Sequence, residues 1–426
     1  MRKDSVIQIV VALFAVLRLY PRMGNTIILL MAPMVVYMVF KQSVEYLPAL
    51  MIHCASETSI MYAILVSMMV VCFLKTSVLL RNKHTRFVYI ALVLTLPIYG
   101  ILTFQRYSLD GDTWQHALAY SSYYLSFWAF IYCFVISHTF NTQTAKGIVY
   151  SLVGFALLCI LFKVFDKKVL FVSVIIGIIV GVVYLLSTRK KSLEIILGFS
   201  LLALFMSFSG LTFTILFTLV YAFFIAFLFI SNRKKTLKMS TGIITYLFIL
   251  LLMILGVTNY TTASYGSYSD KIEFTDWGQF INRIQFKLFE DRSPFWEAGW
   301  LQLLEYHPWF PVHNIPNIVA YRSNGLMFDD ITFGAHNTPL QLLRLFGFIM
   351  GGALIVCYVI STTTGAKFFS SNNKDVYSVA LFSVSLSYSV VLFLTGTASM
   401  LPSMALFSFG LLGIAYGISE REQCLI

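Results

Sequence analysis

An all-α, polytopic membrane bundle of about twelve transmembrane helices is the fold class this sequence predicts, and three observations carry it. The 426 residues are 58% hydrophobic and only 12% charged, about half the charge of a soluble domain. Apolar runs that reach or approach the roughly 20 residues needed to cross a bilayer recur along the chain. Lys and Arg are shared unevenly among the segments between those runs, as they are in membrane proteins whose basic loops stay in the cytoplasm. The formal net charge of +11 therefore reads as loop asymmetry and not as a nucleic-acid surface.

In chain order, the N-terminal stretch "MRKDSVIQIVVALFAVLRLYPR" has the basic start and apolar middle of a signal peptide. No small-x-small cleavage site follows and Arg18 interrupts the run, so it reads as retained, with 5–17 half-buried or interfacial. Spans are predicted near 26–40, 60–80, 87–104, 117–136, 147–162, 169–186, 193–209, 211–230, 239–257, 338–360, 376–394 and 400–417. This divides the chain into N-terminal spans (1–257), a hydrophilic loop (258–337) and the last three spans with their tail (338–426). The six cysteines are scattered, four of them inside apolar runs. Neither a disulfide framework nor a zinc site follows from that pattern. Cys424 stands one place off a prenylation box.

Orientation follows from counting. Segments 1–25, 81–86, 137–146, 187–192, 231–238, 361–375 and 418–426 hold 18 Lys plus Arg, whereas 41–59, 105–116, 163–168, 210 and 395–399 hold 5. The first set is expected in the cytoplasm. The long loop 258–337 then faces outward. It carries four of the six tryptophans, Trp277, Trp296, Trp300 and Trp309, so it is expected to be folded.

Within the loop, "EDRSPFWEAGWLQLLEYHPWF" (290–310) reads as a short amphipathic helix. Ser293 is a candidate cap, Pro294 the first residue, and Phe295, Trp296, Trp300, Leu303 and Leu304 an apolar face. Arg292 stands just before it. A helix N-terminus plus a guanidinium fork suits a phosphate; equally, Arg292 pairs with Glu290, Asp291 or Glu297 and only fixes the loop. The design repeats at "GAHNTPLQLLRLFG" (334–347), where Thr338 is the candidate cap and Pro339 the first residue of a span. His336, held neutral by the helix dipole and low-dielectric surroundings, suits a general base; alternatively His336 and Asn337 satisfy free backbone N–H groups. Asp329 and Asp330 with His336 make only a weak metal pattern, and an acidic turn is the preferred reading. His307 and His313 read as packing residues.

The combination of an arginine, a tryptophan-bearing helix, "HN" and then "LQLLRLFGFIMGG" resembles the bacterial O-antigen polymerase and O-antigen ligase superfamily. The matching stretch is mainly 290–352, and the span layout fits as well. The resemblance implies metal-independent glycosyl transfer without a cofactor, from undecaprenyl pyrophosphate, on the outer face of the bacterial inner membrane. It implies Arg292 as holder of the pyrophosphate leaving group and His336 as acceptor of the attacking hydroxyl's proton. It further implies lipid-linked donor and acceptor glycans, membrane lipid, a chain-length regulator and a flippase as partners, and no nucleic acid. Ligase-like members often carry an arginine in an outward turn that here reads "MSFSGLTFT" (206–214), without Lys or Arg. That favours a polymerase of O-antigen or capsule repeat units over a ligase acting on lipid A core. Arg283, Lys287 or Arg322 are the candidates to compensate, and Arg283, Arg322 and Asn337 are the candidate substrate contacts. A flippase for the same units would need a charged path, and the predicted spans hold only Lys75, Arg344 and Glu194.

Overall fold

The computed structural model describes residues 24–56, 58–109, 114–161, 338–370, 375–395 and 404–424, with Trp300, Leu303, Leu304, Trp309 and two short strands. The predicted spans between 169 and 257, and the segment 5–17, lie outside the described residues. The architecture is helical. In chain order the helices are α1 (Gly24–Phe40), α2 (Leu47–Ser56), α3 (Thr58–Leu74), α4 (Thr76–Arg81), α5 (Lys83–Leu109), α6 (Trp114–Ile136), α7 (Thr142–Leu161), α8 (Thr338–Ala366), α9 (Val376–Thr395) and α10 (Leu411–Cys424). Among the described residues two helices are long and apolar enough to cross a membrane, Lys83–Ile101 within α5 and Thr338–Phe369 around α8.

The core is built around α6, which packs on α3, α5 and α10. Trp128, wholly buried, stands 5.3 Å from Phe73 and 6.1 Å from Tyr89, ring centre to ring centre. On the opposite side α10 comes in backbone to backbone. A Cβ at Gly413 would lie 2.1 Å from the Phe130 carbonyl oxygen, and one at Gly417 2.0 Å from the Ser137 hydroxyl. Two glycines four apart on one helical face give this approach, as in small-residue packing between membrane helices. Before α10, Leu406–Gly410 winds as a wide π turn, and Ser385 of α9 donates to the Ser408 carbonyl there at 2.6 Å.

Four joining segments meet at one end of this bundle. Asn82 donates to Glu420 at 2.6 Å, Lys367 pairs with Glu420 at 3.7 Å, and the Arg421 guanidinium donates to the Ser137 carbonyl at 2.8 Å. That end therefore collects 81–86, 137–146, 361–375 and the tail, the grouping that the charge count gives. Segment 41–59 departs from it. The Val44 N–H donates to the Thr139 hydroxyl at 3.2 Å, and Tyr132 donates to the Val39 carbonyl at 2.9 Å. Residues 41–46 thus lie at the basic end, where the count placed them opposite; a lone Lys41 gives the count almost nothing to act on. Nor is 47–56 a loop. It is α2, a ten-residue helix with every residue from 47 to 54 buried, against α3 and α7. A helix this apolar and covered along 47–54 lies in the interior.

The loop 258–337, expected to be folded and to carry an amphipathic helix, also holds a short strand pair. Val319–Tyr321 (β1) pairs antiparallel with Met327–Asp329 (β2), Val319 opposite Asp329. Between the strands the sequence reads Asn324–Gly325, a tight-turn signal that favours hairpins.

Candidate functional site

The predicted span 338–360 is not one rod. Gly347 has φ 70° and ψ 175°, a conformation essentially restricted to glycine. There the chain folds back. A Cβ on Gly351 would lie 2.5 Å from the Leu342 carbonyl oxygen and 2.8 Å from the Leu343 Cα. On a straight helix, residues eight apart would be about 12 Å apart along the axis. α8 is therefore a half-helix, 338–346, laid against a longer helix, 348–366. The longer piece is about 28 Å at 1.5 Å per residue, close to the hydrocarbon thickness of a bilayer, roughly 30 Å.

The half-helix carries polar residues on one buried face. Thr338, Gln341 and Arg344 follow at intervals of three, and each is at most 5% exposed. Thr338 is itself the first helical residue and not the cap that the sequence suggests. Its hydroxyl donates to the Leu392 carbonyl at 2.5 Å. Leu392 is among the last four residues of α9, whose carbonyls have no partner within their own helix. The positive end of the α8 half-helix thus abuts the negative end of α9. Arg344 sits about 9 Å along the axis from Thr338. Its guanidinium offers five N–H donors in a fixed fork. A buried guanidinium among apolar helices marks a functional position by default, because its burial is expensive unless an anion or acceptor meets it. The sequence reading counted Arg344 only as a stray charge; the three-residue polar interval from Thr338 is the signal that finds it.

The tryptophan-bearing stretch docks on the bend. Trp300 is helical, contacts Leu340, and its ring centre lies 6.5 Å from Phe348, immediately after Gly347. Trp309 lies 5.7 Å from the same ring, and the Ile349 N–H donates to the Trp309 carbonyl at 3.4 Å. Leu303 is buried while Leu304 is 58% exposed. The apolar face of this stretch therefore runs through Trp300 and Leu303 and leaves Leu304 off it. Two stretches separated by about forty residues are so brought together, the one that follows Arg292 and the one that follows His336.

Arg283, Arg292, Arg322, His336 and Asn337 themselves lie outside the described residues, as does Asp330. Asp329 is on β2, opposite Val319. Among the described residues no group of His, Cys, Asp and Glu has the geometry to hold a metal ion.

Comparison with family models, with curated proteins and with solved structures finds no match to this chain.

Proposed function

We propose that this chain is a polymerase of lipid-linked oligosaccharides. It joins undecaprenyl-pyrophosphate-linked repeat units of an O-antigen or capsule at the periplasmic face of the bacterial inner membrane. The observation that carries the reading is the stretch 290–352 with its arginine, tryptophan helix and "HN" at a helix mouth. The contacts of Trp300 and Trp309 with Phe348 support it, because they join the two halves of that stretch at one place.

In this reading the layout is a twelve-span bundle whose large outward loop, 258–337, lies between the ninth and tenth spans.

The chemistry is a displacement at the anomeric carbon of the donor glycan. A hydroxyl of the acceptor sugar forms the new C–O bond and gives its proton to His336, the general base. The bond to the pyrophosphate breaks, and undecaprenyl pyrophosphate leaves with the electron pair. Arg292 meets the charge that grows on that leaving group. Arg344 adds fixed positive charge below the mouth of α8, and Arg283, Arg322 and Asn337 contact the substrate. The turn 206–214 lacks the basic residue of ligase-like members, which favours polymerase over transfer to lipid A core.

The test is the glycolipid ladder of cells lacking the chain. Loss of long chains with a single repeat still attached to the acceptor supports polymerisation. Loss of all glycan from lipid A core, with long polymer accumulating on undecaprenyl pyrophosphate, assigns a ligase instead, and an unchanged ladder overturns both.

A further inference from the structure

At the basic end of the bundle a groove of about 740 Å³ opens between α5 and the longer piece of α8. Its α5 wall runs from Lys83 through Phe87, Ile90 and Leu94 to Ile98, and its α8 wall includes Ile349, Ala353 and Ile360. These positions recur at helical spacing, so each helix lends one apolar stripe. Several are open at the surface: Phe87 and Ile90 are 44% exposed, Ile349 52% and Leu94 68%. From Lys83 to Ile98 the groove is about 22 Å long, more than the roughly 15 Å depth of one bilayer leaflet. Lys83, His84 and Arg86 line one end only.

Those cations are disposed to meet something other than protein. Neither Lys83 nor Arg86 forms an ion pair among the described residues. The nearby acid, Glu420, is taken by Asn82 at 2.6 Å and by Lys367 at 3.7 Å. His84 is held by the Tyr416 hydroxyl at 2.9 Å, which in turn donates to Asn82 at 2.8 Å. The end of the groove is thus a fixed positive cluster whose neighbouring carboxylate is engaged elsewhere.

We propose that this groove is a binding site for one anionic glycerophospholipid of the cytoplasmic leaflet. Its acyl chain lies between α5 and α8, and its phosphate is held by Lys83 and Arg86. The occupant follows from charge complementarity: an apolar trough long enough to take an acyl chain through one leaflet, closed by cations at the headgroup level, matches an amphiphile with one negative head. The inference rests on reading the bundle as a membrane protein, and it is independent of the catalytic assignment. The groove shares one helix with the candidate site, since α8 supplies both its wall and the bend at Gly347. A seated lipid would therefore contact the longer piece of α8 along a face that begins at Ile349, two residues after the bend.

The test uses the full chain, purified in detergent and delipidated, titrated with phosphatidylglycerol or phosphatidylcholine and read by native mass spectrometry. Wild type should bind one phosphatidylglycerol in preference to phosphatidylcholine. The double variant Lys83→Gln, Arg86→Gln should weaken phosphatidylglycerol about thirtyfold, two surface cations' worth of attraction to an anionic headgroup, and leave phosphatidylcholine unchanged. Ala353→Trp, which fills the trough, should abolish the bound lipid while the cations remain. A thermal midpoint in detergent accompanies each variant, and one that has lost its folded transition is replaced by Arg86→Gln alone, for which a weakening of about fivefold is expected. Equal binding of the two lipids by wild type, or undiminished phosphatidylglycerol binding by the folded charge variant, overturns the proposal. Preferential retention of a polyprenyl phosphate over phosphatidylglycerol in the same titration also overturns it, since the occupant would then be a different lipid.

Discussion

The fold-back at Gly347 makes three neighbouring glycines respond with opposite signs to the same small change. In an uninterrupted helix, replacing any interior glycine with alanine stabilises by about 0.5–1 kcal/mol, because the chain loses less freedom on folding. That is the expectation for Gly352→Ala, where a new Cβ meets nothing within 4 Å. At Gly347, φ 70° and ψ 175° leave no relaxed conformation for an L side chain. Alanine there should cost about 1–3 kcal/mol, so the bent form loses roughly five- to 150-fold in population. At Gly351 the obstacle is steric. The Leu342 carbonyl oxygen at 2.5 Å and the Leu343 Cα at 2.8 Å are backbone atoms and cannot swing aside, so overpacking should cost about 1–3 kcal/mol. The assay is unfolding of the three single variants in mixed micelles under increasing denaturing detergent, compared with wild type. Destabilisation by Gly347→Ala and Gly351→Ala with stabilisation by Gly352→Ala supports the bent α8. Stabilisation by all three would mean a straight helix and would refute the half-helix on which the placement of Arg344 depends.

Three further outcomes follow from the same structure. Arg292→Lys should restore little polymer relative to Arg292→Ala, because Lys is a point charge without the planar fork; full chain length in the alanine variant, seen on a glycolipid gel, would leave the loop-fixing role standing. Cys54, predicted by the charge count to face outward, is buried in α2 at 1% exposure, so an impermeant maleimide on spheroplasts should leave it unlabelled; ready labelling before solubilisation would place 47–56 back in an open loop. Thr338→Val should destabilise by about 1 kcal/mol, the net worth of the hydrogen bond to Leu392, whereas Thr338→Ser should be close to neutral; equal micelle stabilities for the two would remove that bond from the account.

How much the sequence disclosed depends on which signal each element relies on. The positions of α1, α3, α5, α6, α7 and α9 were legible because an unbroken apolar run marks them at the resolution of a helix. Their ends were not. α5 extends to Lys83 and Leu109, beyond the apolar window at 87–104, since backbone hydrogen bonding and not hydropathy ends a helix. α2 was hidden because Lys41, Glu45 and Glu57 flank it and His53 interrupts it, giving the pattern of a loop, although its residues from 47 to 54 are buried. The break in α8 was hidden for the opposite reason. "LFGFIMGG" is apolar throughout, and hydropathy does not register that three glycines in six residues permit a close return of the backbone. At the candidate site, the neighbourhood of the tryptophan stretch and the mouth of α8 was anticipated as a shared design. Their contact through Phe348 was not, because no spacing rule links residues forty apart. Arg344 was visible as a charge, but its burial became legible only with the half-helix that carries it.

The central claim is that His336 is the base of a glycosyl transfer, and polymer formation from purified undecaprenyl-pyrophosphate-linked repeat units tests it most directly. His336→Gln keeps a hydrogen-bonding side chain but takes up no proton at neutral pH, so the initial rate should fall by roughly a hundredfold or more. Thr338→Ser, measured at matched protein level, should stay near wild type. A His336→Gln protein that polymerises at close to the wild-type rate would contradict the assignment and leave His336 as a cap on α8.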